Sequence, residues 1–119
     1  MKKIAIIFSH APYGTNLGQE GLNLALSMSC YVENIGIFFV GDGIFQILNY
    51  QKPHYILSQS YYLTFKILIT NNINNFYLCY DSLLQRGFYE HSHFILNINI
   101  CSFKKIRKKI QKFDFILNF

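Results

Sequence analysis

Hydrophobic positions along this chain fall into short unbroken runs separated by stretches of helical spacing. Lys3 to Ser9 is β-branched and aromatic, with no polar interruption, as expected for a strand buried on both faces of a parallel sheet. Pro12 and Gly14 mark a loop over His10 to Thr15. From Asn16 to Glu33 the apolar residues Leu17, Leu22, Leu24, Ala25, Leu26, Met28 and Val32 follow helical spacing. Thr15 or Asn16 is placed as the N-cap and Glu20 falls in the first turn. Ile35 to Val40 predicts a second buried strand. Gly41-Asp42-Gly43 predicts a sharp turn, and Ile44 to Asn49 a short helix.

Pro53 marks a further loop, and Tyr55 to Leu57 fits either state. Gln59 to Ile69 has helical length but is apolar almost all round, which predicts burial on every side. Asn71, Asn72, Asn74 and Asn75 form a polar loop. Phe76 to Tyr80 predicts a third strand, and Asp81 to Arg86 a short helix closed by Gly87. Phe94 to Ile100, with Asn97 and Asn99, fits a strand with one wetter face. Ser102 is placed as the cap of a helix running to Lys112, and Phe113 to Phe119 as the last strand. Alternating strand and helix predicts an α/β fold: a three-layer α/β/α sandwich on a mostly parallel sheet of about five strands, with right-handed crossovers. At 119 residues, one domain over 1–119 is expected. The pattern does not give strand order.

Composition changes this picture in one respect. Hydrophobic residues make up 51% and charged residues only 14%, against a usual charged share of roughly 25%. So little polar cover fits burial of surface against other subunits. A drift toward AT-rich codons, which favours Ile, Asn, Lys, Phe and Tyr, would give the same composition without an interface. The net charge is +5, much of it between Lys104 and Lys112. Three cysteines, Cys30, Cys79 and Cys101, form no CxxC pair, which fits reduced thiols in the cytoplasm. The apolar run after Lys2 and Lys3 ends at Phe8, too short for a signal peptide. No stretch approaches the roughly 20 apolar residues of a membrane span. A cytosolic protein with no membrane contact is expected.

Candidate chemistry is sparse. In open α/β sheets, reactive groups gather after the carboxyl ends of strands. The loop after the first strand has Gly14, Gly18 and Gly21, but neither GxGxxG nor GxxxxGK[ST] spacing, and Glu20 would repel an anion. No nucleotide cofactor is expected. His91 and His93 are spaced H-x-H without further ligands to complete a zinc set, so no metal site is expected. Cys79 follows an apolar strand and precedes a helix, where the helix dipole favours thiolate, while Asp81 opposes it. It is the candidate reactive residue; filling of the core is the competing reading. Cys30 and Cys101 are assigned to packing. On the helix after Ser102, Phe103, Ile106, Ile110 and Phe113 fall on one face. Lys104, Lys105, Arg107, Lys108, Lys109 and Lys112 cover the rest, a stripe suited to RNA phosphates, an acidic protein or solvent.

Five segments in order carry a resemblance: KKIAIIFSHAPYGTNLGQEGLNLALS, IGIFFVGDGIFQIL followed by QKP, TFKIL, LCYDSLLQRG and FDFILNF. Together they resemble the DsrE/DsrF/DsrH family of sulfur-relay proteins, with GDGIFQIL, QKP and the terminal D-x-I-L-x-F similar to its C-type, DsrF-like subunits. The resemblance implies a heterohexamer holding two copies each of B-, C- and D-type subunits. It implies a pathway in which persulfide sulfur passes through small sulfur-carrier proteins toward 2-thiolation of a tRNA wobble uridine, with tRNA contact indirect. In the family the persulfide-carrying cysteine belongs to the D-type subunit, in a motif with an arginine and a glycine downstream. Cys79, Arg86 and Gly87 match that motif, whereas Tyr80 and Asp81 replace the small residues after the cysteine. A structural and binding subunit, not itself an enzyme, is the expectation. Direct persulfide carriage by Cys79 is the alternative. The helix from Gln59 to Ile69 and the terminal strand are the expected partner contacts.

Overall fold

The structure, a computed structural model, describes residues 3–10, 17–29, 31–32, 34–47, 66–70, 73, 75–88 and 98–119. Among the described residues five strands form one sheet: β1 (Lys3–Phe8), β2 (Asn34–Phe39), β3 (Asn75–Cys79), β4 (Asn99–Cys101) and β5 (Phe115–Asn118). Their order is β4-β3-β2-β1-β5, and every adjacent pair is parallel. The helices are α1 (Leu17–Met28), α2 (described over 66–70), α3 (Tyr80–Gln85) and α4 (Phe103–Ile110). A 3-10 helix, Gly41–Gln46, follows β2.

Strand order decides which face each helix covers. From β1 to β4 the chain steps in one direction, so right-handed crossovers place the intervening helices on one face. Leu22 and Ala25 of α1, Leu68 of α2 and Leu83 of α3 accordingly share a core with Ile4, Ile6, Phe8, Ile37 and Phe39. The connection from β4 to β5 runs back past three strands. The same handedness puts α4 on the opposite face, where Ile106 joins Ala5, Ile7 and Phe38. β1 and β2 are therefore buried on both sides after their first residue, as their unbroken apolar runs predict.

The sheet type, its strand number and the two helical layers agree with the sequence pattern, whereas element ends shift. α1 stops at Met28 rather than near Glu33. There the Ser29 hydroxyl donates to the Leu26 carbonyl at 2.6 Å, and Tyr31 N–H bonds the Met28 carbonyl in a closing turn. The expected turn at Gly41 to Gly43 is absorbed into the 3-10 helix, which Gly41 enters at φ +53°. α3 ends as predicted: Gly87 adopts φ +79°, its N–H bonds the Leu84 carbonyl, and Phe88 N–H bonds the Leu83 carbonyl. That pair of bonds satisfies two orphan carbonyls of the last turn. Ser102 caps α4, accepting from the Lys105 backbone N–H at 3.4 Å.

Two apolar expectations meet exposure instead. Among the described residues of α2 only Leu68 is buried, while Ile67 is 50% exposed. The rest of the helix expected over Gln59 to Ile69 lies outside the described residues, as do most of the Phe94 to Ile100 segment, Cys30, His54, His91 and His93. On α4, Phe103 was expected on the apolar face but is half-exposed, its ring centroid lying 5.8 Å from the Arg107 guanidinium carbon. β5 is an edge strand, with Phe115 and Ile116 about half-exposed.

Candidate functional site

Alternation along β3 sends Phe76 and Leu78 into the helix-rich face and Tyr77 and Cys79 toward α4. Cys79 closes the strand and is the N-cap residue of α3. Its side chain makes no capping hydrogen bond, and the residue is 1% exposed, in the cluster of Ala5, Ile7, Phe38 and Ile106. The strand end predicted for this thiol is where it sits, but its immediate surroundings are hydrocarbon. Asp81, two residues on, is exposed.

The spacing from Cys79 to Arg86 and Gly87 has a plain structural meaning. It is the length of α3 with its C-terminal cap. Arg86 acts as a staple: its Nε donates to Asp42 Oδ1 at 2.9 Å, and its Nη1 donates to the Ser82 carbonyl at 3.1 Å. The Ser82 hydroxyl in turn accepts the Gly41 backbone N–H at 2.9 Å. α3 is thereby fixed to the 3-10 helix after β2, which sets where the strand-end cysteine stands. Both side chains of the ion pair reach solvent, so the pair contributes about 0–1 kcal/mol. The sequence marked Arg86 through the motif but gave no sign that Asp42 of the GDG turn is its partner.

Cys101 is the residue whose setting sequence reasoning missed. In the β3–β4 ladder it is the register partner of Cys79, and it packs at the edge of the same cluster. Both thiols are free. Cys101 is only partly buried and borders an open cavity of about 490 Å³ lined also by Tyr77, Asn99, Lys105, Lys108, Lys109 and Lys112. Period-two alternation would place Asn99 and Cys101 on one face, but pairing with Cys79 needed the strand order.

Among the described residues no three His, Cys, Asp or Glu side chains gather as metal ligands. His10 lies at the surface, its Nδ1 3.3 Å from the Ser9 hydroxyl. Among the described residues no helix is long and apolar enough to cross a membrane.

These features define a parallel α/β domain with a strand-end cysteine at the start of a short helix that ends in Arg86 and Gly87. The chain belongs to the DsrE/DsrF-like family, whose model matches residues 2–119. It is 50% identical to Protein TusC of Buchnera aphidicola subsp. Baizongia pistaciae, over 119 residues and the whole of both chains. It is 39% identical to Protein TusC of Klebsiella pneumoniae subsp. pneumoniae, again over the whole of both chains. Among solved structures, the crystal structure of the ychN protein from E. coli superposes with a TM-score of 0.79 at 25% identity, covering all of each chain.

Proposed function

We propose that residues 1–119 form one domain that serves as a structural and binding subunit of a sulfur-relay complex, not as an enzyme by itself. The complex would pass persulfide sulfur toward 2-thiolation of the tRNA wobble uridine, in the cytoplasm. Its partners would be the B-type and D-type subunits of a heterohexamer with two copies of each, and sulfur-carrier proteins would bring and take the sulfur. Family membership and full-length likeness to proteins named TusC support the relay. The burial of Cys79 is the observation that carries the structural role. A thiol 1% exposed among Ile7, Phe38 and Ile106 offers a second protein's persulfide no line of attack.

The half-exposed Ile67 of α2 and the edge strand β5, with Phe115 and Ile116, are the surfaces we assign to partner contact. Burying such residues stabilises an assembly by roughly 25 cal/mol per Å² of apolar area. Co-expression with the B- and D-type subunits and native mass spectrometry test the assembly. The expected result is a stable complex containing this chain. A chain that stays monomeric beside both partners defeats the proposal.

The alternative is carriage of sulfur by Cys79 itself, favoured by its place at a strand end before the Arg86–Gly87 helix terminus. Its thiolate would attack the outer sulfur of a donor persulfide, forming Cys79 persulfide and releasing the donor thiolate. Loading with a cysteine desulfurase and peptide mass spectrometry would then reveal one added sulfur on the Cys79 peptide.

A further inference from the structure

The stripe of cations on α4 folds into a concave surface. Lys105, Lys108, Lys109 and Lys112 line the 490 Å³ cavity together with Tyr77 and Asn99. A second cavity of about 190 Å³ shares Tyr77, Lys109 and Lys112 and adds Lys3, Asn34 and Asn75. The shared residues make the two cavities neighbours. Five ammonium groups thus border one trough across the start of the sheet. Among the described residues no carboxylate lines either cavity. Asp114, beside Phe113, is engaged by the Lys3 backbone N–H at 2.8 Å. Lys109 is held in place, its Nζ 4.9 Å from the centroid of the Tyr77 ring.

We propose that this trough binds the phosphodiester backbone of RNA directly, beyond the assembly role assigned above. The lining chemistry favours a nucleic acid over an acidic protein. Protein interfaces are depleted in lysine and anchored by apolar or aromatic residues at their centre. Here five lysines and three asparagines outnumber the aromatic rings of Tyr77 and Phe113, and ammonium and amide groups are donors suited to phosphate oxygens. The eight residues of α4 span about 12 Å. A strand of duplex carries one phosphate per about 3.4 Å of axis, so about three phosphates can face the helix.

The test measures binding of the full chain to a short, fluorescently labelled single-stranded RNA of mixed sequence by anisotropy, across a salt series. The paired variants are Lys105→Gln with Lys108→Gln in the trough, and Lys104→Gln with Arg107→Gln outside it. All four side chains are exposed on α4, and the two pairs remove equal charge. Thermal melting checks that both variants fold like the parent. We expect the trough pair to weaken binding about tenfold or more and to lower the slope of log K against log salt by about 1.4. The outer pair should change binding by less than about threefold. Equal losses from both pairs would reduce the effect to net charge and overturn the proposal. So would no RNA binding at low salt, or polyglutamate displacing the RNA as effectively per charge as unlabelled RNA does. No sulfur transfer is read, so failure here leaves the relay reading standing, and failure of assembly leaves this one standing.

Discussion

The two faces of the sheet are built from the same strands and solve burial differently. The helix-rich face is covered by α1, α2 and α3 and holds a continuous core from Ile4 to Leu83, with Phe8 stacked on Phe39 at 5.5 Å. The opposite face has α4 as its described helix, with Ile106 as that helix's buried residue. Aromatic rings complete the cover there. Phe38 stacks on Tyr77 at 5.0 Å and meets Phe113 edge-on at 5.7 Å. The Phe113 ring lies where a Cβ on Gly36 would be, 2.5 Å from its Cζ, so a glycine in mid-strand admits the ring. Among the described residues one face is thus insulated, whereas the other is more thinly covered and carries both described cysteines and the lysine trough. Candidate chemistry collects where the cover is thin.

Adjacent residues of β2 give the sharpest test of this contrast. Phe39 and Phe38 are both fully buried, one on each face. Phe39→Ala should cost about 4–5 kcal/mol, the upper part of the range for such truncations, because it is fully buried in the larger core and stacked on Phe8. Phe38→Ala should cost about 3 kcal/mol, since the rings of Tyr77 and Phe113 can close over the gap. Urea melts of the two variants read the difference directly. Equal losses would mean that the α4 face is as rigid as the other. Ile106→Ala should cost about 2–3 kcal/mol and release α4, seen as faster amide exchange in residues 103–110 with the helix-rich face protected.

Smaller effects probe the site. Cys79→Ser places a hydroxyl in a hydrocarbon pocket and should cost about 1–3 kcal/mol, measured as a lower denaturant midpoint. Sulfur transfer through the assembled complex should be unchanged by it. A loss of transfer at full assembly would move the role to Cys79 itself. Ser102→Ala removes the cap of α4 and should cost about 0.5–1 kcal/mol. Asp42→Ala breaks the exposed partnership with Arg86 and should cost about 0.2–1 kcal/mol, falling as salt rises.

Much of the fold was legible because its signals are local. The runs Ile4 to Phe8 and Ile35 to Phe39 announce buried parallel strands by lacking a polar face. Gly87 and Ser102 announce the ends of α3 and the start of α4 through backbone chemistry within a few residues. The early end of α1 was not legible, because a serine hydroxyl competing for a carbonyl leaves no periodic trace. Phe103 misled for a related reason: helical spacing gives a side, but not which residues on that side are covered. The candidate site was legible at Cys79, Arg86 and Gly87, but not at Asp42 or in the pairing of Cys101 with Cys79. Cys79 was placed at a strand end from its flanking sequence. Its burial depends on Ile7, Phe38 and Ile106, which come from three other elements.

The sequence by itself determined the alternation of elements, the mostly parallel character of the sheet, the caps at Gly87 and Ser102 and the concentration of positive charge between Lys104 and Lys112. Each of these is set by neighbours along the chain, through backbone hydrogen bonding and the period of apolar side chains. Only the tertiary structure decided that β5 returns to the far side of β1. That single long-range choice, with right-handed crossover geometry, puts α4 against the face opposite the other described helices. It buries the Cys79 thiol beneath Ile106, sets Cys101 beside it in register, and turns a stripe of lysines into a trough that Lys3 completes.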